Sequence, residues 1–318
     1  HVLWIDWPKS YHEPEQLDGA AFALICLPLA MCLNERLVVR DPLPKTLILN
    51  MLEAMAIYET EFPDLCLVVD LDAKSYAPTA PDNARIASFY SGGVDSLFNI
   101  AEMGRLNARY QTGLVTDLWL IHGMDIPLSD TALWEDVRSK LMAPFAESEL
   151  VSCVDIATNA REIHDQFVGW EELGFSAILG GVAKCFSRDV STVLIGSYAK
   201  YQDVIPACST PLVDPMWSCD LQSVRHFTCR VDRIQKLRTI IEQDKELLQN
   251  LRVCYMNIGG SYNCGSCEKC LRTQMQLMLC GALDACKQFE TTLTSERLRH
   301  LKLNWRPIGQ FSWDYWQA

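Results

Sequence analysis

The chain has 318 residues and a formal net charge of −12; 49% of it is hydrophobic and 21% charged. At roughly 150 residues per domain, that is length for about two domains with a substantial core. The acidic balance argues against a broad nucleic-acid or anionic-membrane footprint.

Residues 1 to 80 alternate apolar and amphipathic segments and are expected to form an N-terminal α/β extension. Strands are expected at 1–7, 36–41 and 65–73, and a helix at 43–62. The longest apolar run, 19–33, is bounded by Asp18 and Glu35 and interrupted by Pro28. It falls short of the ~18 residues that span a bilayer. No signal peptide is recognisable. The Pro- and Ala-rich stretch 74–85 reads as a linker. A second unit is expected over 84–250 and a third over 251–318. In the second, strands at 86–90, 117–123, 149–156 and 191–197 alternate with helices at 96–109, 131–147 and 170–187. This pattern predicts an α/β fold with a doubly wound parallel sheet, ligands binding beyond the carboxyl ends of its strands.

The junction of the first such strand and helix reads FYSGGVDSLFNI, residues 89–100. Gly92 and Gly93 permit positive φ and a close approach of backbone to ligand. Ser96 is expected to cap the helix, and successive amides at a helix start favour an anion. Asp95 beside phosphate implies an intervening magnesium ion. The segment lacks both the Walker lysine motif and the dinucleotide G-x-G-x-x-G.

Of the 14 cysteines, most lie in apolar segments, which suits reduced thiols and a cytoplasmic location. Cys254, Cys264, Cys267 and Cys270 are different, spaced C-x9-C-x2-C-x2-C among polar residues. Four thiolates suit a closed structural Zn2+ site; an iron–sulfur cluster is the alternative. Lys269 and Arg272 stand close enough to soften its negative charge. Arg230, Arg233 and Lys236 lie at helical spacing, either to reach phosphate or as a solvated face.

The SGGVDS segment resembles the PP-loop of the ATP pyrophosphatases, which cleave ATP between the α and β phosphates. With the cysteine spacing, residues ~84–290 look like the 7-cyano-7-deazaguanine synthase branch of that family, and like longer relatives from bacterial anti-phage defence operons. The resemblance implies ATP and Mg2+ as cofactors beside Zn2+. It implies an acyl-adenylate on 7-carboxy-7-deazaguanine or a related acid, then an amide or nitrile formed with ammonia or an amine. It implies pyrophosphate and magnesium contacts from Ser91, Gly92, Gly93, Val94, Asp95 and Ser96. Tyr90 beside them, His122 and Gly123 at a strand end, and Arg233 at helical spacing are the further ATP candidates, and Asp95, Ser96 and Lys236 are expected to act in the chemistry. His122 is either a base or a satisfied structural histidine. Gly196 and Ser197, at a strand end, and Asp214 and Trp217 are the substrate candidates. A packed loop around a buried Trp is the other reading of the last two. The loop 198–220 departs from the biosynthetic enzyme, and ~80 residues precede the motif here. That extension is expected to cover the pocket, dimerise, or dock a protein partner. A tRNA-modifying PP-loop enzyme and a non-catalytic nucleotide-binding scaffold are the rival readings.

Overall fold

In a computed structural model of the chain, residues 2–11, 19–79, 85–289 and 293–299 are described. Residues 80–84 of the expected linker and 300–318 of the expected C-terminal unit lie outside them.

Alternation of apolar side chains builds a two-faced sheet. Its strands are β1 (Ile5–Asp6), β4 (Ile86–Phe89), β5 (Asp117–His122), β6 (Ser152–Thr158), β7 (Thr192–Gly196) and β8 (Ser223–Phe227), in the order β1-β6-β5-β4-β7-β8. All neighbours run parallel except β1, which pairs antiparallel to β6. Ala87, Trp119, Val154 and Val193 point to one face, and Ile86, Leu118, Leu120 and Leu194 to the other. Helices α3 (Val94–Tyr110), α4 (Thr131–Met142) and α7 (Arg233–Asp244) share a core with the second set. On the first face lie α1 (Gly19–Leu33), α2 (Lys45–Glu61) and α6 (Phe175–Cys185). The chain is therefore a mixed α/β fold with a largely parallel six-stranded sheet. A second, two-stranded parallel sheet joins β2 (Leu37–Pro44) to β3 (Leu71–Tyr76), with α2 as its crossover. The remaining helices among the described residues are α5 (Ala160–His164), α8 (Glu268–Leu279) and α9 (Ser295–Arg299).

Several expected elements shift. The strand expected over 1–7 shrinks to two residues. That expected over 65–73 begins only at Leu71, and Leu65, Leu67 and Val68 are exposed. An apolar run needs a partner strand as well as composition to pair, and β3 finds β2 only from Leu71. Residues 74–76 of the expected linker are strand. The helix over 170–187 opens with a π-helical turn, Trp170–Gly174. The run 19–33 is a 15-residue helix buried against α6. No helix among the described residues is long and apolar enough to cross a membrane.

The sheet order reverses between β4 and β7. Crevices form at the carboxyl ends of strands at such a point, and the SGGVDS segment follows β4.

Candidate anion cleft and four-cysteine centre

Gly92 has φ of 71°, and a Cβ there would lie 2.3 Å from Leu141 Cδ2, so the turn demands glycine. Gly93 has φ of −78° and itself caps α3, which starts at Val94 rather than after Ser96. Ser96 is therefore not the cap. Its hydroxyl donates to the Gly93 carbonyl at 3.0 Å inside the first turn. Having no side chain, Gly93 cannot accept from the amides that open this 17-residue helix, and such amides favour an anion.

Asp95, in that first turn, accepts from Lys236 Nζ and Arg233 Nη1, each at 2.8 Å. Burial would raise its carboxyl, but Lys236 and Arg233 outweigh burial and hold it well below the usual carboxylate range. Lys236 also donates to the Ser197 carbonyl. Both cations come from the start of α7, where Asp232 and Gln235 form a capping box, and both are buried. They are not a solvated face. Arg230 precedes the helix and pairs with Glu102 instead. A carboxylate already neutralised by two cations is a poor magnesium ligand, so the magnesium role expected of Asp95 does not fit this arrangement.

Ser91, Gly93, Val94 and Asp95 form one wall of a small open cleft, and Arg233 stands beside them. The rest of the lining, a second wall, is Asp125, Arg252 and Val253, which the sequence did not assign, and Lys269, which it placed beside the four-cysteine centre rather than at an anion site. Arg252 is 4% exposed. Its backbone N–H donates to the Gly92 carbonyl at 2.9 Å, and its Nη2 to Asn257 Oδ1 at 2.8 Å. Its buried Nε has no partner among the described residues. Burial lowers the Lys269 ammonium from its ordinary value; Asp125 opposes that and Arg233 adds to it. Three cations and two carboxylates line the cleft, and Asp95 is already compensated by Lys236. The surplus is positive.

The other expected contacts do not line it. Tyr90 is buried, donating its N–H to Trp119 and setting its ring edge-on to Phe145. His122 stacks flat on Trp134 and bonds the Pro127 carbonyl at 3.0 Å, and burial lowers its pKa. This is the satisfied structural histidine. Gly123 has φ of 94°, and a Cβ would meet the Thr158 carbonyl oxygen at 2.0 Å. Its turn brings Asp125 to the cleft. A Cβ on Gly196 would lie 3.1 Å from the Asp95 carbonyl carbon, so this glycine lets β7 abut the start of α3.

Ser197, Asp214 and Trp217 join a buried polar network behind α7. The Asp214 carboxylate accepts from Ser176 Oγ at 2.5 Å and Ser209 Oγ at 2.8 Å, and meets His226 Nδ1 at 2.7 Å. Trp217 Nε1 donates to Ser176. Ser197 Oγ donates to the Ala199 carbonyl and lies 3.3 Å from Cys229 Sγ. Burial alone would lower His226, but Asp214 and Cys229 raise it to about 9. The buried-Trp reading of this loop is the one the structure supports.

The four cysteines converge as their spacing suggests. The sulfurs of Cys254, Cys264, Cys267 and Cys270 all lie within 4.8 Å of one another, with Cys264 and Cys270 at 3.9 Å. A tetrahedral zinc–thiolate site, with Zn–S near 2.3 Å, needs sulfurs about 3.8 Å apart. The residues fit a metal ion such as zinc. Cys267 caps α8, and its N–H donates to Cys264 Sγ at 3.3 Å. Fully buried Asn263 staples the arms: its Oδ1 accepts from the Val253 and Cys254 amides, and its Nδ2 donates to the Leu251 carbonyl. Lys269 was singled out by its adjacency to the cysteines, and Arg252, two positions before Cys254, could have been flagged the same way. Asp125 carries no such signal.

Comparison with family models, with curated proteins and with solved structures gives no match.

Proposed function

We propose that the protein is an ATP-consuming enzyme of the PP-loop type that adenylates a carboxylate, releases pyrophosphate and delivers the acyl group to ammonia or an amine. The carrying observation is the uncapped start of α3 at the point of sheet reversal, faced by Arg233, Arg252 and Lys269. A phosphate chain is the ligand that such amides and cations hold best. In this reading an oxygen of the acid attacks the α-phosphorus, and the bond from that phosphorus to the bridging oxygen breaks. The charge leaving on pyrophosphate is taken up by the α3 amides with Arg252 and Lys269, in place before the reaction begins. The acid is 7-carboxy-7-deazaguanine or a relative of it. Zinc, held by four protein sulfurs, has no open position and would serve structure rather than activate water.

Asp95→Ala is a poor probe, because it would strand two buried cations at a cost of about 3–5 kcal/mol. Lys269→Gln, on a partly exposed helical position, is the better variant. Wild type incubated with ATP, Mg2+, ammonia and 7-carboxy-7-deazaguanine should yield AMP with an amide or nitrile by mass spectrometry. Lys269→Gln should be slower by about 100-fold or more, as for the loss of one oxyanion contact. ADP in place of AMP would overturn the reaction class; no AMP from wild type would overturn this acid as substrate.

A further inference from the structure

We infer that filling the four-cysteine centre assembles the anion cleft, so that the metal and a pyrophosphate-like anion bind cooperatively. This rests on the reading of the cleft as a phosphate site.

The physical link is short. Arg252 and Val253 run directly into Cys254, and Lys269 stands between Cys267 and Cys270. Every residue of that second wall except Asp125 is therefore carried by the knuckle. The same wall holds the loop opposite: the Arg252 N–H bonds the Gly92 carbonyl, and Asn257 ties the Arg252 guanidinium to the Asp125 carbonyl. Four closely spaced thiolates repel one another, and a divalent cation is what holds them together. Without it, the arm at 252–254 and the start of α8 lose their common anchor. Lys269 then no longer faces the α3 amides across the cleft. The cost of ordering these walls is met by the metal before the anion arrives, which is positive coupling between two sites.

Coupling is reciprocal: if metal favours the anion, the anion must favour the metal by the same factor. The test uses the full zinc-loaded chain and inorganic pyrophosphate. Zinc transfer to a competing chromophoric chelator is measured with and without saturating pyrophosphate. Apparent zinc affinity should rise about 5-fold or more. Lys269→Gln and Arg252→Gln should keep zinc in buffer and lose the pyrophosphate effect. In the cobalt-substituted wild type, the visible cobalt–thiolate band should shift as pyrophosphate binds. If calorimetry detects pyrophosphate binding while zinc affinity and the cobalt band stay constant, the coupling is overturned and the phosphate reading of the cleft stands. If the zinc-loaded chain binds no pyrophosphate, the phosphate reading itself falls.

Discussion

His226 carries the clearest pH signature among the buried groups. It is sealed with Asp214, both side chains almost wholly out of solvent, and its folded pKa of about 9 stands above the ordinary 6.5. A group whose pKa is raised by folding contributes stability that is fully present below its unfolded pKa and is lost as pH rises through the folded one. Denaturation of wild type and His226→Gln should therefore differ most below pH 6.5, and the gap should narrow toward pH 9. A gap that widens over that range would mean the Asp214 contact does not hold the imidazolium. Reading this network from sequence was not feasible, because Ser176 lies 38 residues from Asp214 and no local spacing rule ties either to His226. The SGGVDS turn and the four cysteines were legible for the opposite reason. Their chemistry is local, and spacing alone limits what they can form.

Helix packing turns on two glycines that look alike in sequence. Gly181 lies where α6 crosses α1, and a Cβ there would meet Ile25 Cγ1 at 2.5 Å and the Ala21 carbonyl at 2.6 Å. Gly104, inside α3, has open space around its Cβ direction. Gly104→Ala should raise stability by about 0.5–1 kcal/mol through helix propensity. Gly181→Ala should lower it by about 1–3 kcal/mol, because backbone must move. Thermal unfolding of the two variants checks both signs. The elements themselves were largely visible in the hydrophobic period: helices α2, α3 and α4 and strands β4, β5, β6 and β7 fall where it puts them. The misplacements, at 1–7 and 65–73, occur where strand formation depends on a partner rather than on the segment's own residues.

Residues 19–79 and the main sheet share one core. Leu24, Leu27, Leu47 and Tyr58 cluster with Trp119, Phe186, Val193 and Trp217. Tyr58 donates to the Cys208 carbonyl at 2.9 Å, and Thr46 to Asp220 at 2.7 Å. A chain beginning at residue 85 would keep α6 on the first face of the sheet but uncover the apolar surface that α1 and α2 bury, at about 25 cal/mol for each Å². It should lose cooperative unfolding and aggregate, and a sharp calorimetric transition from it would refute the shared core. The extension is thus part of what positions the loops at the carboxyl ends of the strands.

The sequence by itself determined the α/β class, the glycine turn at residues 92–93 and the four-cysteine group. Each follows from local period, backbone freedom or ligand spacing. Only the tertiary structure decided that Asp95 is neutralised by Lys236 and Arg233, that Asp214 and Trp217 turn inward, and that Arg252 and Lys269 face the α3 amides. Those outcomes depend on strand order and on which distant charges meet in a buried place, and no single stretch of chain encodes either.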